Sequence, residues 1–112
     1  MKTSLLAKPK GRGACPSYFL AGCHEAARGG ADGYAAAGHE LMRHVGREIN
    51  DGGDLEAKLD ELRDLVGAGN DAGVLAWFDR EVPRCMALVP RRRRHQFLKG
   101  AYAMFEEGQL DW

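Results

Sequence analysis

The sequence predicts an all-α fold: a compact single-domain bundle of about five helices, with a short proline-bounded turn and a flexible basic N-terminal arm. Three observations predict it. Apolar residues recur at three- and four-residue steps in each long segment beyond residue 15. No segment shows the strict alternation of a half-buried strand. Prolines, glycines and capping residues fall between the periodic segments, where helices start and stop. A chain of 112 residues fits one domain. At this size about two thirds of the unfolded surface is buried on folding, enough for one core.

Residues 1–14 carry Lys2, Lys8, Lys10 and Arg12, no acid and little apolar content, and read as the arm. The helical domain is expected over 15–112. The stretch Lys8-Pro9-Lys10-Gly11-Arg12-Gly13 resembles the core of AT-hook minor-groove arms, with lysine for the first arginine and no second proline. That resemblance implies contacts of Lys8, Lys10 and Arg12 to nucleic acid.

Pro16 opens a first helix over about 16–28, with Phe19, Leu20, Cys23 and Ala27 as its apolar face. Asp32 caps a second, about 33–50, whose stripe is Tyr34, Gly38, Leu41, Met42, Val45 and Ile49. The third, about 54–67, places Leu55, Leu59, Leu62, Leu65 and Val66 on one face and charges on the other. From Asp51 to Asp71 seven acids stand against Lys58 and Arg63. Asp71 caps a fourth helix, about 72–82, turning Val74, Leu75, Phe78 and Val82 inward with Trp77 beside them. Pro83 opens a short turn over Arg84–Leu88, which ends before Pro90 because the residue ahead of a proline avoids the α region. Pro90 suits the first position of the last helix, where its missing N–H costs nothing. Phe97, Leu98, Ala101, Met104, Phe105 and Gly108 form that helix's apolar stripe.

The run Arg91-Arg92-Arg93-Arg94 falls at the positive end of that helix's dipole, where each uncompensated cation costs about 0.3–1 kcal/mol. Arg94 lies three residues before Phe97 and four before Leu98, so its stem follows the apolar stripe and its head is expected to snorkel to water or to pair with the acidic third helix. Arg92 lies four before Gln96 and seven before Lys99, on the opposite face, with Arg93 at the edge. Arg92, Arg93, Gln96 and Lys99 are therefore the expected partner-binding set, together with Lys8, Lys10 and Arg12 of the arm.

Sixteen basic and sixteen acidic residues balance, which excludes a globally basic nucleic-acid binder and an acidic nucleic-acid mimic. No apolar run approaches a membrane span. Leu5, Leu6 and Ala7 are too short an apolar stretch for a signal peptide. Cys15, Cys23 and Cys85 are an odd set and too sparse for a secreted disulfide framework, which favours a reduced, cytoplasmic setting. His39 and His44 are five apart, about 140° round a helix, and cannot share one metal as a zinc-protease pair four apart does. Glu40 and His44, four apart, make a surface pair instead. The seven residues between Cys15 and Cys23 do not match the short gaps of zinc knuckles, so no metal and no cofactor is expected. A reactive Cys15 or Cys85 beside a histidine is the enzymatic alternative; His95 is the histidine nearest Cys85 in sequence, and no motif fixes that geometry. The expected function is a non-enzymatic interaction protein, an adaptor or inhibitor that meets a protein partner through charged helix surfaces. The alternative is a nucleic-acid backbone binder that uses the arm and the basic start of the last helix.

Overall fold

The computed structural model describes residues 15–30, 32–49 and 54–112. The arm, with Lys8, Lys10 and Arg12, lies outside the described residues. The helices are α1 (Ser17–Ala27), α2 (Gly33–Glu48), α3 (Leu55–Gly67), α4 (Asp71–Glu81), α5 (Pro83–Met86) and α6 (Arg94–Glu107). A single 3₁₀ turn, Arg91–Arg93, leads into α6. The fold is all-α, with no strand among the described residues. No described helix is long and apolar enough to cross a membrane.

The sequence stripes build one core. Phe19, Leu41, Met42, Val45, Leu62, Val74, Trp77, Phe78, Phe97 and Met104 are fully buried in it. Aromatic rings link the helices across its middle. Phe97 of α6 meets Phe78 of α4 edge-on at 5.1 Å and Phe19 of α1 at 6.2 Å. Trp77 adds a further edge contact to Phe78 at 5.1 Å. Such offset pairs contribute about 0.5–1.5 kcal/mol each beyond their buried area. The α3 stripe is narrower than expected: Leu59 and Leu62 are buried, Leu65 and Val66 half-buried, and Leu55 is exposed. Leu55 is the first residue of its helix, one turn short of the seam with α4.

Helix α2 is the central element. It packs most extensively on α6 and next on α1. Small residues make both seams. A side chain at Gly38 would reach to 2.2 Å from the Phe97 carbonyl oxygen, and one at Gly100 to 1.8 Å from that of Ala35. On the other side of α2, a Cβ at Gly22 would sit 2.7 Å from the Gly33 carbonyl oxygen and 2.9 Å from Ala37 Cβ. These glycines let backbones touch. The same close approach changes the buried face of α1. Phe19 and Gly22 are its buried residues and Ala26 is half-buried, while Ala27 points to solvent.

Helix boundaries follow the expected signals with four departures. Asn70, not Asp71, caps α4: its side-chain oxygen accepts from Gly73 N–H at 3.0 Å. Asp71 is then the first helical residue, and its carboxylate accepts the Tyr102 hydroxyl at 2.6 Å. Asp32 stands at the N-cap of α2, but its side chain makes no capping bond. Pro90 is extended (φ −59°, ψ 147°) and caps the 3₁₀ turn, so it precedes the helical residues rather than being the first of them. Gly108 leaves the apolar stripe altogether and ends α6 in the left-handed conformation at φ 73°, where a Cβ is costly.

The C-terminal residues turn back onto α2. Asp111 N–H donates to the Arg43 carbonyl at 2.8 Å, and Trp112 Nε1–H donates to that of Met42 at 2.9 Å. The Trp112 ring packs on Phe105, and the Arg63 guanidinium lies over it at 4.9 Å. The terminal tryptophan is thus docked on the bundle.

Candidate partner-binding groove

Several described cations make ion pairs: Arg28 with Glu25, Arg47 with Asp111, Lys58 with Glu81, Arg63 with Asp60, and Arg80 with Glu61 and Glu81. Arg43 instead donates to the Gln109 side-chain oxygen at 3.0 Å. Arg91, Arg92, Arg93 and Lys99 make none among the described residues, and all four are exposed. They stand at one place, the 3₁₀ turn and the first turns of α6. Pro90 carries the chain into this turn in an extended conformation, and the Arg93 N–H closes it onto the Pro90 carbonyl at 2.8 Å.

Arg94 behaves differently from its three neighbours. Its guanidinium meets the Asp79 carboxylate at 2.6 Å and its side chain is 19% exposed. The stem packs as its position before Phe97 and Leu98 suggests. The acid comes from α4 rather than α3, because Asp79 is one residue past Phe78, the ring that meets Phe97. Arg94→Ala is expected to lower stability by about 1 kcal/mol, through lost stem packing and a partly shielded ion pair. Arg92→Ala should leave it equal or slightly higher, since it removes repulsion from the helix dipole. Chemical denaturation of the two variants checks this. Equal losses in both would contradict the division.

Two adjoining clefts open beside this turn, between α6 and the α1–α2 corner. The first, of 270 Å³, lies between Gly29, Gly30 and Tyr34 on one side and Arg93 and Gln96 on the other. The second, of 390 Å³, runs along the α2–α6 seam. Ala35, Ala36, Gly100 and Ala103 form its apolar floor, and Gln96, Lys99, His39 and Asp32 stand on its rim. Gln96 borders both clefts, which makes them one groove. The groove exists because α2 and α6 approach backbone to backbone at Gly100 and leave no bulky side chain to fill the seam.

Of the expected set, Arg93, Gln96 and Lys99 line this groove, and Arg92 is exposed beside Arg93 without lining it. The floor and far wall were not anticipated from the sequence. Their signal is in the chain all the same: Gln96, Lys99, Gly100 and Ala103 fall at i, i+3, i+4 and i+7, one face of α6.

Two histidines, His39 and His44, face acids. His39 Nε2 lies 3.2 Å from Glu107 and its Nδ1 3.1 Å from Glu40. His44 lies 3.3 Å from Asp111 and 3.8 Å from Glu40, the expected i, i+4 pair. Among the described residues no group of three or more His, Cys, Asp or Glu is placed to hold a metal ion. Cys85 shares its side-chain hydrogen bond with Cys15, not with His95. Burial pushes the Cys15, Cys23 and Cys85 thiols above their ordinary range, the opposite of what an activated nucleophile needs.

No protein-family model, curated protein or solved structure matches the chain. What the groove can do follows from its own residues.

Proposed function

We propose that the protein is a small non-enzymatic interaction protein, an adaptor or inhibitor, that takes an acidic segment of a protein partner along the α2–α6 groove. One observation carries this reading: four exposed cations without an ion pair among the described residues, Arg91, Arg92, Arg93 and Lys99, gather beside a groove with an apolar floor. Carboxylates of the partner would meet Arg92, Arg93 and Lys99, and its small apolar side chains would cover Ala36, Gly100 and Ala103. A phosphate backbone would use the cations but leave that floor uncovered, and the balanced overall charge adds nothing to polyanion attraction. The non-enzymatic reading is supported by the raised thiols and by His39 and His44, which face carboxylates rather than a nucleophile.

The triple variant Arg92→Ala, Arg93→Ala, Lys99→Ala tests the proposal. Proteins that co-purify with the wild type are identified, and their dissociation constants measured against both forms. Binding of duplex DNA is followed in parallel over a range of salt. The expected result is an acidic partner bound about tenfold more weakly by the variant, from about 0.5 kcal/mol per lost contact, with an unchanged melting temperature. Tight DNA binding whose salt slope falls by about one unit for each removed cation would replace the protein partner with a nucleic-acid backbone. A variant that keeps every interaction of the wild type would show the basic turn to be ordinary surface.

A further inference from the structure

We propose that Cys15 and Cys85 are an oxidation site, at which a peroxide converts the two thiols into an intramolecular disulfide. Their sulfurs lie 3.0 Å apart although the residues are 70 positions apart in the chain. A disulfide bond is about 2.05 Å long, so a closure of about 1 Å completes it. Both residues sit at element starts. Cys15 precedes Pro16, the cap of α1, and Cys85 follows Pro83, the first residue of α5. Neither thiol has another hydrogen-bond partner among the described residues.

The surroundings assign the roles. Cys15 is half-buried and open to a small oxidant, whereas Cys85 is only 3% exposed. Burial raises both thiols, Cys85 far more, and at Cys15 the hydrogen bond shared with Cys85 partly offsets the rise. Cys15 therefore ionises first. Its thiolate attacks one peroxide oxygen and breaks the O–O bond, which leaves a sulfenic acid on Cys15 and a hydroxide that takes up a proton as water. The Cys85 sulfur then attacks the Cys15 sulfur, and the departing hydroxide leaves as water with the Cys85 proton. In sum two thiols and one hydrogen peroxide give one disulfide and two waters. The sulfurs lose two electrons and the peroxide gains them.

Two consequences follow from the raised thiols. Thiolate is scarce at neutral pH, so oxidation is slower than at a free cysteine and quickens as pH rises. Once made, the bond has poor leaving groups and resists small thiols. The pair thus responds to sustained rather than brief peroxide. The new bond would tie the start of α1 to α5, seven residues ahead of the basic turn's Arg92.

The test treats reduced full-length protein with hydrogen peroxide at mildly alkaline pH, followed by intact mass and non-reducing peptide mapping. The expected product is lighter by two hydrogens, holds one Cys15–Cys85 linked peptide, and melts about 10 °C higher until a dithiol reverses it. Cys23→Ser should behave in the same way. In Cys15→Ser, which spares the buried site, Cys85 should stay a thiol. Sulfinic acid on Cys15 beside a free Cys85, a link through Cys23, or a link between two molecules would overturn the proposal. So would oxidation of Cys85 in Cys15→Ser at the wild-type rate, or a Cys15–Cys85 bond that lowers the melting temperature.

Discussion

Gly100→Ala is expected to destabilise the protein by about 3 kcal/mol or more, the upper range for overpacking, although alanine is the better helix former. The added Cβ would lie 1.8 Å from the Ala35 carbonyl oxygen and 2.6 Å from its carbon. Both are backbone atoms of α2 and cannot rotate away. Relief requires α2 and α6, the most extensively packed pair, to move apart. Their separation would also pull Phe97 from Phe78 and Phe19, since its carbonyl faces Gly38 on the same seam. Gly46→Ala supplies the contrast within α2. Its nearest neighbours would be Trp112 Cα at 3.8 Å and Leu59 Cδ1 at 3.9 Å, ordinary contacts. With no clash, the entropy saved in the unfolded chain should make Gly46→Ala more stable by roughly 0.5–1 kcal/mol. Urea unfolding of both variants separates the cases. A Gly100→Ala protein as stable as the wild type would mean that α2 and α6 do not touch at this point.

Those two glycines also show where sequence reasoning runs out. Periodicity finds helices because burial is one-sided, and it places the stripes of α2, α3, α4 and α6 on residues that are buried or half-buried, with Leu55 and Gly108 as the misses. A glycine within a helix carries no such signal. Gly38 falls on the apolar stripe and Gly22 and Gly100 beside theirs, yet each marks a backbone contact that needs the partner helix to be known. The groove shares this limit. Arg93, Gln96 and Lys99 were legible as the polar face of the last helix, but Ala35 and Ala36 come from α2 and join them only through the α2–α6 crossing. Pro90 was misplaced by one step for a local reason. Its φ fits a helix start equally well when its ψ is extended, and nothing in its neighbours decides between the two. The Cys15–Cys85 contact was illegible altogether, since no spacing rule links residues so far apart in sequence.

Trp77→Ala is the second large effect, a loss of about 3–5 kcal/mol. The indole is fully buried, stacks edge-on to Phe78, and donates from Nε1–H to the Lys58 carbonyl at 3.0 Å. Truncation therefore removes core volume and the polar link between α4 and α3 together. Ion pairs frame that link without replacing it: Lys58 with Glu81 at 3.1 Å, and Arg80 with Glu61 at 2.8 Å. Exposed pairs of the second kind contribute little alone. Trp77→Phe isolates the hydrogen bond. It keeps most of the ring volume, and the Lys58 carbonyl still accepts from the helix N–H four residues on, so the cost should be only about 1–2 kcal/mol. The loss in Trp77→Ala should also be local first. Helix α3 packs chiefly on α4 and buries only Leu59 and Leu62 fully. Its amides should exchange with solvent sooner than those of α2 and α6, which keep their own seam. Hydrogen exchange read by mass spectrometry checks this order. If α2 and α3 lose protection together, Trp77 holds the whole bundle rather than one of its edges.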